Sequence, residues 1–205
     1  MPKLIQLKHQ IRIIAGQYRR RLLPVITAPD YCQLRPTPNR VRQTLFNWVD
    51  HFINDWQQMR VVDAFAGTGA LGLEAASRGA KQVILCESYK PAAHNLQNIL
   101  TILQAAHCTV NVGDALAMLS HLPPSSIDVL LLDPPFYSEL LNKVQELLPR
   151  VLAHHALVYI ESEVAISWAD YTVLRHTKMG LVHAQLLQFT PNTVNTIDIL
   201  NKLNT

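Results

Sequence analysis

The sequence is poor in several things, and each shortage excludes something. Only 16% of the 205 residues are charged, which argues against extended disorder. There are three cysteines, Cys32, Cys86 and Cys108. Scattered and odd in number, they form no metal-binding pattern and fit a reducing, cytoplasmic setting. The nine histidines are dispersed as well, and the adjacent pair His154-His155 reads as a turn before a strand. No metal is expected. No apolar run is long enough to span a bilayer, and Met1-Pro2-Lys3-Leu4-Ile5-Gln6 lacks the apolar stretch and small-residue cleavage site of a secretory leader. No membrane partner is expected. Hydrophobic residues make up 49% of the chain, enough for a full core. The length suits one domain with a small appendage, and a body of that size is expected to be a monomer.

The net charge of +3 conceals an asymmetry. Residues 1–43 hold nine bases, Lys3, Lys8, Arg12, Arg19, Arg20, Arg21, Arg35, Arg40 and Arg42, against the single acid Asp30. Everything after them is net acidic. A basic appendage on a mildly acidic body points to a polyanionic partner. Residues 11–25 carry two apolar segments around a turn containing Gly16, which predicts a β-hairpin with Arg19-Arg20-Arg21 on or beside its turn. Such a hairpin is marginal alone and must dock on something. The division expected is a basic hairpin extension over 1–38 and a larger domain over 39–205.

Along that domain, strand and helix alternate. Asn39 is read as the N-cap of a helix through about Phe52, with Val41, Thr44, Leu45, Trp48, Val49 and Phe52 on its apolar face and Arg40 and Arg42 pointing elsewhere. Strands are predicted at 60–65, 82–87, 109–112, 127–132 and 156–161, with helices between them. Two more strands, near 171–178 and 181–189, are separated only by Met179-Gly180, a link too tight for anything but an antiparallel pair. The fold class is therefore α/β: a Rossmann-like, mostly parallel sheet closed by a C-terminal antiparallel hairpin. That is the class I methyltransferase variant of the architecture.

The stretch Leu130-Leu131-Leu132-Asp133-Pro134-Pro135-Phe136 organises the rest. Ile127 to Leu132 reads as a strand buried on both faces. The prolines stop it, because neither can donate to a sheet ladder. Asp133 then sits at the carboxyl end of a core strand, the edge of an open α/β sheet where ligands bind. The exocyclic amine of a nucleobase is a poor nucleophile, since its lone pair is delocalised into the ring. A carboxylate from Asp133 and the carbonyl of Pro134 can accept the two amine hydrogens and localise that lone pair. Phe136 offers a face on which a base can stack.

Gly67-x-Gly69-x-x-Gly72, after a strand and before a helix, matches a dinucleotide fingerprint, with Glu87 at the end of the next strand for ribose hydroxyls. This alone does not separate NAD from S-adenosylmethionine. Asp63 at the end of the first strand suits an ammonium, which only S-adenosylmethionine has, and repels a pyrophosphate. Asp114 can accept from an adenine amine. Asp-Pro-Pro-Phe supplies an amine acceptor and no hydride-transfer machinery. Helix capping is the alternative role for Asp63 and Asp114.

At this point the chain resembles the RsmD family, bacterial 16S rRNA (guanine-N2)-methyltransferases. The segments that carry the resemblance are Arg12–Gly16, Leu34–Trp48, Asp63–Gly79, Asp133–Phe136 and Tyr159–Glu163, in the family's order. Arg-Pro-Thr-x-x-Arg-Val-Arg followed by Leu-Phe-Asn-Trp is the specific one. The resemblance implies methylation of guanine 966 (RNA numbering) in 16S rRNA or the small-subunit particle, with S-adenosylmethionine as donor and S-adenosylhomocysteine as product. It implies catalytic roles for Asp133, Pro134, Pro135 and Phe136. It places the cofactor on Asp63, Phe65, Gly67, Gly69, Glu87, Asp114 and Ala115, and the RNA on Arg12, Arg19, Arg20, Arg21, Arg35, Arg40 and Arg42. Three departures stand out: Arg20 occupies a hairpin position usually held by glycine, Glu87 is followed by Ser88-Tyr89 where a second acid or amide is common, and the last strand, 184–189, lacks tyrosines. The alternatives are an amino-methyltransferase for another base, such as adenine N6, and a nucleic-acid-binding module without turnover.

Overall fold

Ile127–Leu132 does become a strand closed on both faces, and the sheet is assembled around it. The computed structural model describes residues 9–25, 39–136 and 138–191. In chain order the elements are β1 (His9–Arg12), β2 (Leu22–Val25), α1 (Asn39–Phe52), a single 3₁₀ turn (Trp56–Gln58), β3 (Arg60–Asp63), α2 (Gly72–Ser77), β4 (Gln82–Glu87), α3 (Lys90–Leu103), β5 (Cys108–Val112), α4 (Ala115–His121), β6 (Ile127–Leu132), α5 (Leu140–Val151), β7 (Leu152–Ser162), β8 (Tyr171–Met179) and β9 (Val182–Phe189).

The large sheet runs β5-β4-β3-β6-β7-β9-β8, and β9 pairs antiparallel with both β7 and β8. From β3 the chain winds outward through β4 and β5, then returns to place β6 on the other side. The strand order therefore reverses between β3 and β6, and the carboxyl ends of that pair flank the crevice where such sheets bind ligands. Alternation sorts the side chains into two layers. Val61, Leu85, Val129, Leu131 and Tyr159 face the layer that holds α1 and α2. Val62, Leu130, Leu132, Val158 and Ile160 face the layer that holds α4 and α5. The turn of the C-terminal hairpin is Gly180-Leu181, one residue later than the sequence suggests, and Gly180 has φ of +63°. His154-His155 lies inside β7 instead of before it; His155 has φ of +63°, and the β6–β7 register shifts just there.

The N-terminal hairpin packs against α2, and this explains why a six-residue helix is buried on all sides. The Glu74 carboxylate accepts from the backbone N–H groups of Ile14 and Ala15, both at 2.9 Å. The Ser77 carbonyl accepts from Gln17 N–H at 2.7 Å, and its hydroxyl oxygen accepts from Tyr18 N–H at 2.9 Å. Ile13 and Leu23 enter the main core, while Ile11 and Val25 close on Ala70. Gly16, with φ of +78°, lies so close that a Cβ there would sit 1.8 Å from the Ser77 carbonyl oxygen.

The face of α1 is turned by about one residue from the expected one. Arg42, Leu45, Phe46 and Val49 are buried; Val41, Thr44, Trp48 and Phe52 are only half-buried. Arg42 does not point away from the core. It is 1% exposed, donates to Ala70 O at 3.4 Å and Arg12 O at 2.8 Å, and lies 3.8 Å from Glu74 Oε2. Its guanidinium also donates to the Asn39 side chain. Burial lowers the Arg42 pKa and Glu74 raises it.

Candidate functional site

Four carboxylates lie at the carboxyl ends of four adjacent strands: Glu87 on β4, Asp63 on β3, Asp133 just past β6, and Glu161 on β7. The first three were expected from the sequence; Glu161 was not. Residues two places before each, Leu85, Val61, Leu131 and Tyr159, share one layer of the core. Period-two alternation then directs all four acids to one face of the sheet.

Asp63 is 1% exposed, and its Oδ2 accepts from Gly72 N–H at 2.8 Å. Burial pushes its carboxyl up to about 7; Asp133 and Glu87 add repulsion, while the N–H groups of Gly72 and Phe65 oppose the rise. Glu87 is 5% exposed. Its oxygens accept from Gly67 N–H at 2.8 Å and Tyr89 N–H at 2.6 Å, so one carboxylate ties the glycine loop to the turn after β4. Asp114 caps α4 by accepting from Ala117 N–H at 2.8 Å, with Ala115 buried as the first helical residue. It also borders a cleft of about 500 Å³ between β5 and α4, lined in part by Val112, Gly113, Met118 and His121. Among the described residues, no lysine or arginine pairs with Asp63, Glu87 or Asp114.

The glycine loop divides its work. Gly67 and Gly69 both have positive φ, +52° and +79°. A Cβ on Gly69 would meet Leu96 Cδ2 at 2.5 Å, and one on Gly72 would meet Leu85 Cδ2 at 2.2 Å. Those two glycines therefore serve close packing of loop and helix on the core, while the N–H groups of Gly67 and Gly72 face the Glu87 and Asp63 carboxylates. Phe65 is half-buried in the turn between β3 and the loop.

At the Asp-Pro-Pro-Phe turn, Pro134 is buried, Asp133 and Pro135 are half-buried, and Phe136 is 46% exposed. The Ser138 hydroxyl donates to the Pro135 carbonyl at 2.7 Å and holds the turn. A bare aromatic beside a buried acidic row is a place for a flat ligand. Next to it, the Tyr159 hydroxyl donates to Glu161 Oε1 at 2.8 Å.

The arginines separate into groups. Arg12, Arg19, Arg20, Arg21 and Arg40 are exposed. Arg42 is buried, so the expectation that it contacts RNA is replaced by a structural role fastening α1 to the hairpin and α2. Arg35 lies outside the described residues. Arg20 has φ of +68°, a conformation that costs a side-chain-bearing residue about 1–2 kcal/mol and that glycine adopts freely. The backbone thus keeps the geometry of a glycine position while presenting a guanidinium. Glu74, Ser77, Tyr159 and Glu161 went unassigned in the sequence. Each falls in a stretch that carries the family resemblance, and that was the one signal that could have drawn attention to them.

Residues 11–188 match the family described as "Conserved hypothetical protein 95". Ribosomal RNA small subunit methyltransferase D of Escherichia coli K12 is 44% identical over 185 residues, covering 87% of this chain and 90% of that protein. The protein of the same name from Haemophilus influenzae is 36% identical over 189 residues, covering 88% of this chain and 95% of its own. Among solved structures, yhhF from E. coli superposes with a TM-score of 0.78 at 38% identity, over 90% of this chain and 100% of that one. An RNA methyltransferase from Salinibacter ruber, solved with S-adenosyl-L-homocysteine, shares the fold at a TM-score of 0.60 and 15% identity, over 78% of this chain and 99% of its own. The chain belongs to the RsmD family, that of ribosomal RNA small subunit methyltransferase D.

Proposed function

We propose that this protein transfers a methyl group from S-adenosylmethionine to the exocyclic N2 amine of a guanine in 16S rRNA, guanine 966 in RNA numbering. The observation that carries the reading is the row of acids at four adjacent strand ends, Glu87, Asp63, Asp133 and Glu161, with Phe136 bare beside Asp133. Buried acids such as Asp63 and Glu87, with no lysine or arginine beside them among the described residues, suit a ligand bearing an ammonium and a sulfonium. Asp63 takes the ammonium. Glu87 has lone pairs left for ribose hydroxyls after serving Gly67 and Tyr89. Phe65, Gly67, Gly69, Asp114 and Ala115 complete the cofactor side. When bound, S-adenosylmethionine supplies a methyl group on a cationic sulfur that leaves as a neutral thioether.

The protein's own part is placement and charge. The target base leaves its stack to reach the sheet edge, and Phe136 covers one of its faces. Asp133 and the Pro134 carbonyl accept the two amine hydrogens, which restores lone-pair density to the nitrogen and aims it; once methylated, the nitrogen sheds one of its protons to solvent. Holding the reactants in line before the reaction supplies most of the acceleration such a site can give. The test is methyl transfer from labelled S-adenosylmethionine to small-subunit particles lacking the modification, followed by nucleoside analysis. N2-methylguanosine supports the reading; label on adenine, or no label, sinks it.

Three variants probe the binding surfaces. Asp63→Asn keeps an acceptor for Gly72 N–H and removes a buried charge. A carboxyl whose folded value is raised from about 4 to about 7 destabilises the fold as it ionises. Its stability is greatest below the unfolded value and falls as pH rises toward 7, with a full penalty on the order of 4 kcal/mol above that. The variant is therefore expected to melt higher than the parent at pH 8, with the difference vanishing near pH 4, while calorimetry shows S-adenosylmethionine binding at least tenfold weaker. Equal affinity would remove Asp63 from the cofactor site.

Neutralising Arg19, Arg20 and Arg21 together is expected to weaken RNA binding and flatten its salt dependence by about one log–log slope unit for each phosphate no longer neutralised. Arg20→Gly alone relieves the backbone, so it should raise stability by about 1 kcal/mol while lowering RNA affinity. An unchanged salt slope in the triple variant means the cluster does not touch phosphate.

A further inference from the structure

The site contains one more carboxylate than methyl transfer to an amine requires. Glu161 is 7% exposed at the carboxyl end of β7. The β6–β7 ladder pairs Leu131 with Tyr159 and Leu132 with Ile160, so the next position along each strand sets Asp133 beside Glu161. Neighbouring parallel strands lie about 4.8 Å apart, and alternation turns both side chains to the same face. The Tyr159 hydroxyl, itself on a fully buried residue, donates to Glu161 Oε1 at 2.8 Å and fixes how the carboxyl is turned.

We propose that Glu161, oriented by Tyr159, is a positioning residue that holds the Asp133 carboxylate in place by sharing one proton with it. The proposal rests on the reading of Asp133 as the acceptor for the substrate amine. Two carboxyls set side by side away from water do not both ionise, and the one less exposed to solvent keeps the proton. Here that one is Glu161: burial and the adjacent Asp133 push it up to about 8, against the lowering effect of the Tyr159 hydroxyl. From β9 it faces Ala184, which carries no charge. The other ionisable groups nearby are Asp63 beyond Asp133, Glu163 past the end of β7, and His183 opposite Ser162. At neutral pH the Glu161 O–H donates to an Asp133 oxygen, leaving Asp133 charged, fixed in rotamer and facing the base. When Glu161 ionises, that bond becomes a repulsion and Asp133 loses its orientation.

The consequence is a loss of activity on the alkaline side. Single-turnover methyl transfer by the parent should fall above about pH 8, where free carboxylates no longer titrate. Glu161→Ala should lower the rate about tenfold at neutral pH. Glu161→Gln, which still accepts from Tyr159 and donates to Asp133, should recover that loss and abolish the alkaline fall. A residue that merely fills space would not tie the pH profile to one proton. Infrared difference spectra of the full chain, parent minus Glu161→Gln, provide a readout without turnover. They should contain a protonated-carboxyl band at pH 7 that is lost above pH 8, and lost at lower pH when Asp133→Asn removes the repulsion. If the band is absent at pH 7, or if Glu161→Gln retains the alkaline fall, the proposal is overturned. If the band behaves as described but no guanine is methylated, the shared proton stands and the functional reading fails.

Discussion

Asp133→Ala is expected to slow methyl transfer on the order of 10³-fold while leaving S-adenosylmethionine affinity within about threefold of the parent. The size follows from what the side chain does. Removing one preorganised electrostatic partner from a desolvated site typically costs 10²–10³-fold. Here the missing partner also directs the amine lone pair, which adds an orientation cost. The cofactor side should be spared, because its acids stand on β3, β4 and the start of α4, and Asp133 raises the Asp63 carboxyl when it is present. Removing that repulsion should, if anything, let Asp63 ionise more readily. Asp133→Asn retains an acceptor oxygen but brings an amide that can also donate toward the substrate amine, so it should fall between parent and alanine. Rates measured at saturating RNA and cofactor separate this from a binding defect. If alanine at 133 retained more than a tenth of the parent rate, the amine would not be activated there, and the row of acids would need another explanation.

What was legible in the sequence was what is written in consecutive residues. Ile127 to Leu132 could only be a strand closed on both faces, and two prolines after an acid could only end it. The glycine spacing and the tight link near Gly180 likewise carry their geometry locally. Partnerships formed across the chain were not legible. Arg42 looks like one more base in a basic segment, and a helical wheel that counts it as polar turns α1 by one residue. Apart from the Asn39 side chain, the partners that make its burial tolerable are Glu74, Arg12 O and Ala70 O, and nothing near residue 42 announces those. Glu161 was hidden for a related reason. A carboxylate at a strand end reads the same whether it faces water or a second acid, and only the β6–β7 register puts it beside Asp133. The glycine-like backbone of Arg20 could be suspected from the family resemblance, but its positive φ is a fact of the folded hairpin.

Glu74→Ala should cost the fold about 3–5 kcal/mol in urea unfolding, as expected when one partner of a buried ion pair is removed. A domain of this kind is stable by only about 5–15 kcal/mol in all. Glu74 is fully buried and serves four groups: the N–H of Ile14, the N–H of Ala15, Arg42 and Arg78. Alanine leaves two half-buried amides without acceptors and the Arg42 guanidinium, 1% exposed, without its counter-charge. A second change, Arg42→Met, removes the stranded cation and should return part of the stability, since an apolar pair is less costly than half an ion pair. It cannot return all of it, because Ile14 and Ala15 remain unserved. Gly16→Ala attacks the same junction from the other side by forcing a methyl into the Ser77 carbonyl. Both single variants should therefore expose the hairpin to protease before the sheet opens, and both should weaken RNA binding with every arginine still in place. That separates docking from charge: the arginine variants reduce affinity without reducing stability, whereas Glu74→Ala reduces the two together. A Glu74→Ala protein as stable as the parent would mean that the hairpin is held by its apolar contacts alone, and that the buried carboxylate contributes no net stability to the fold.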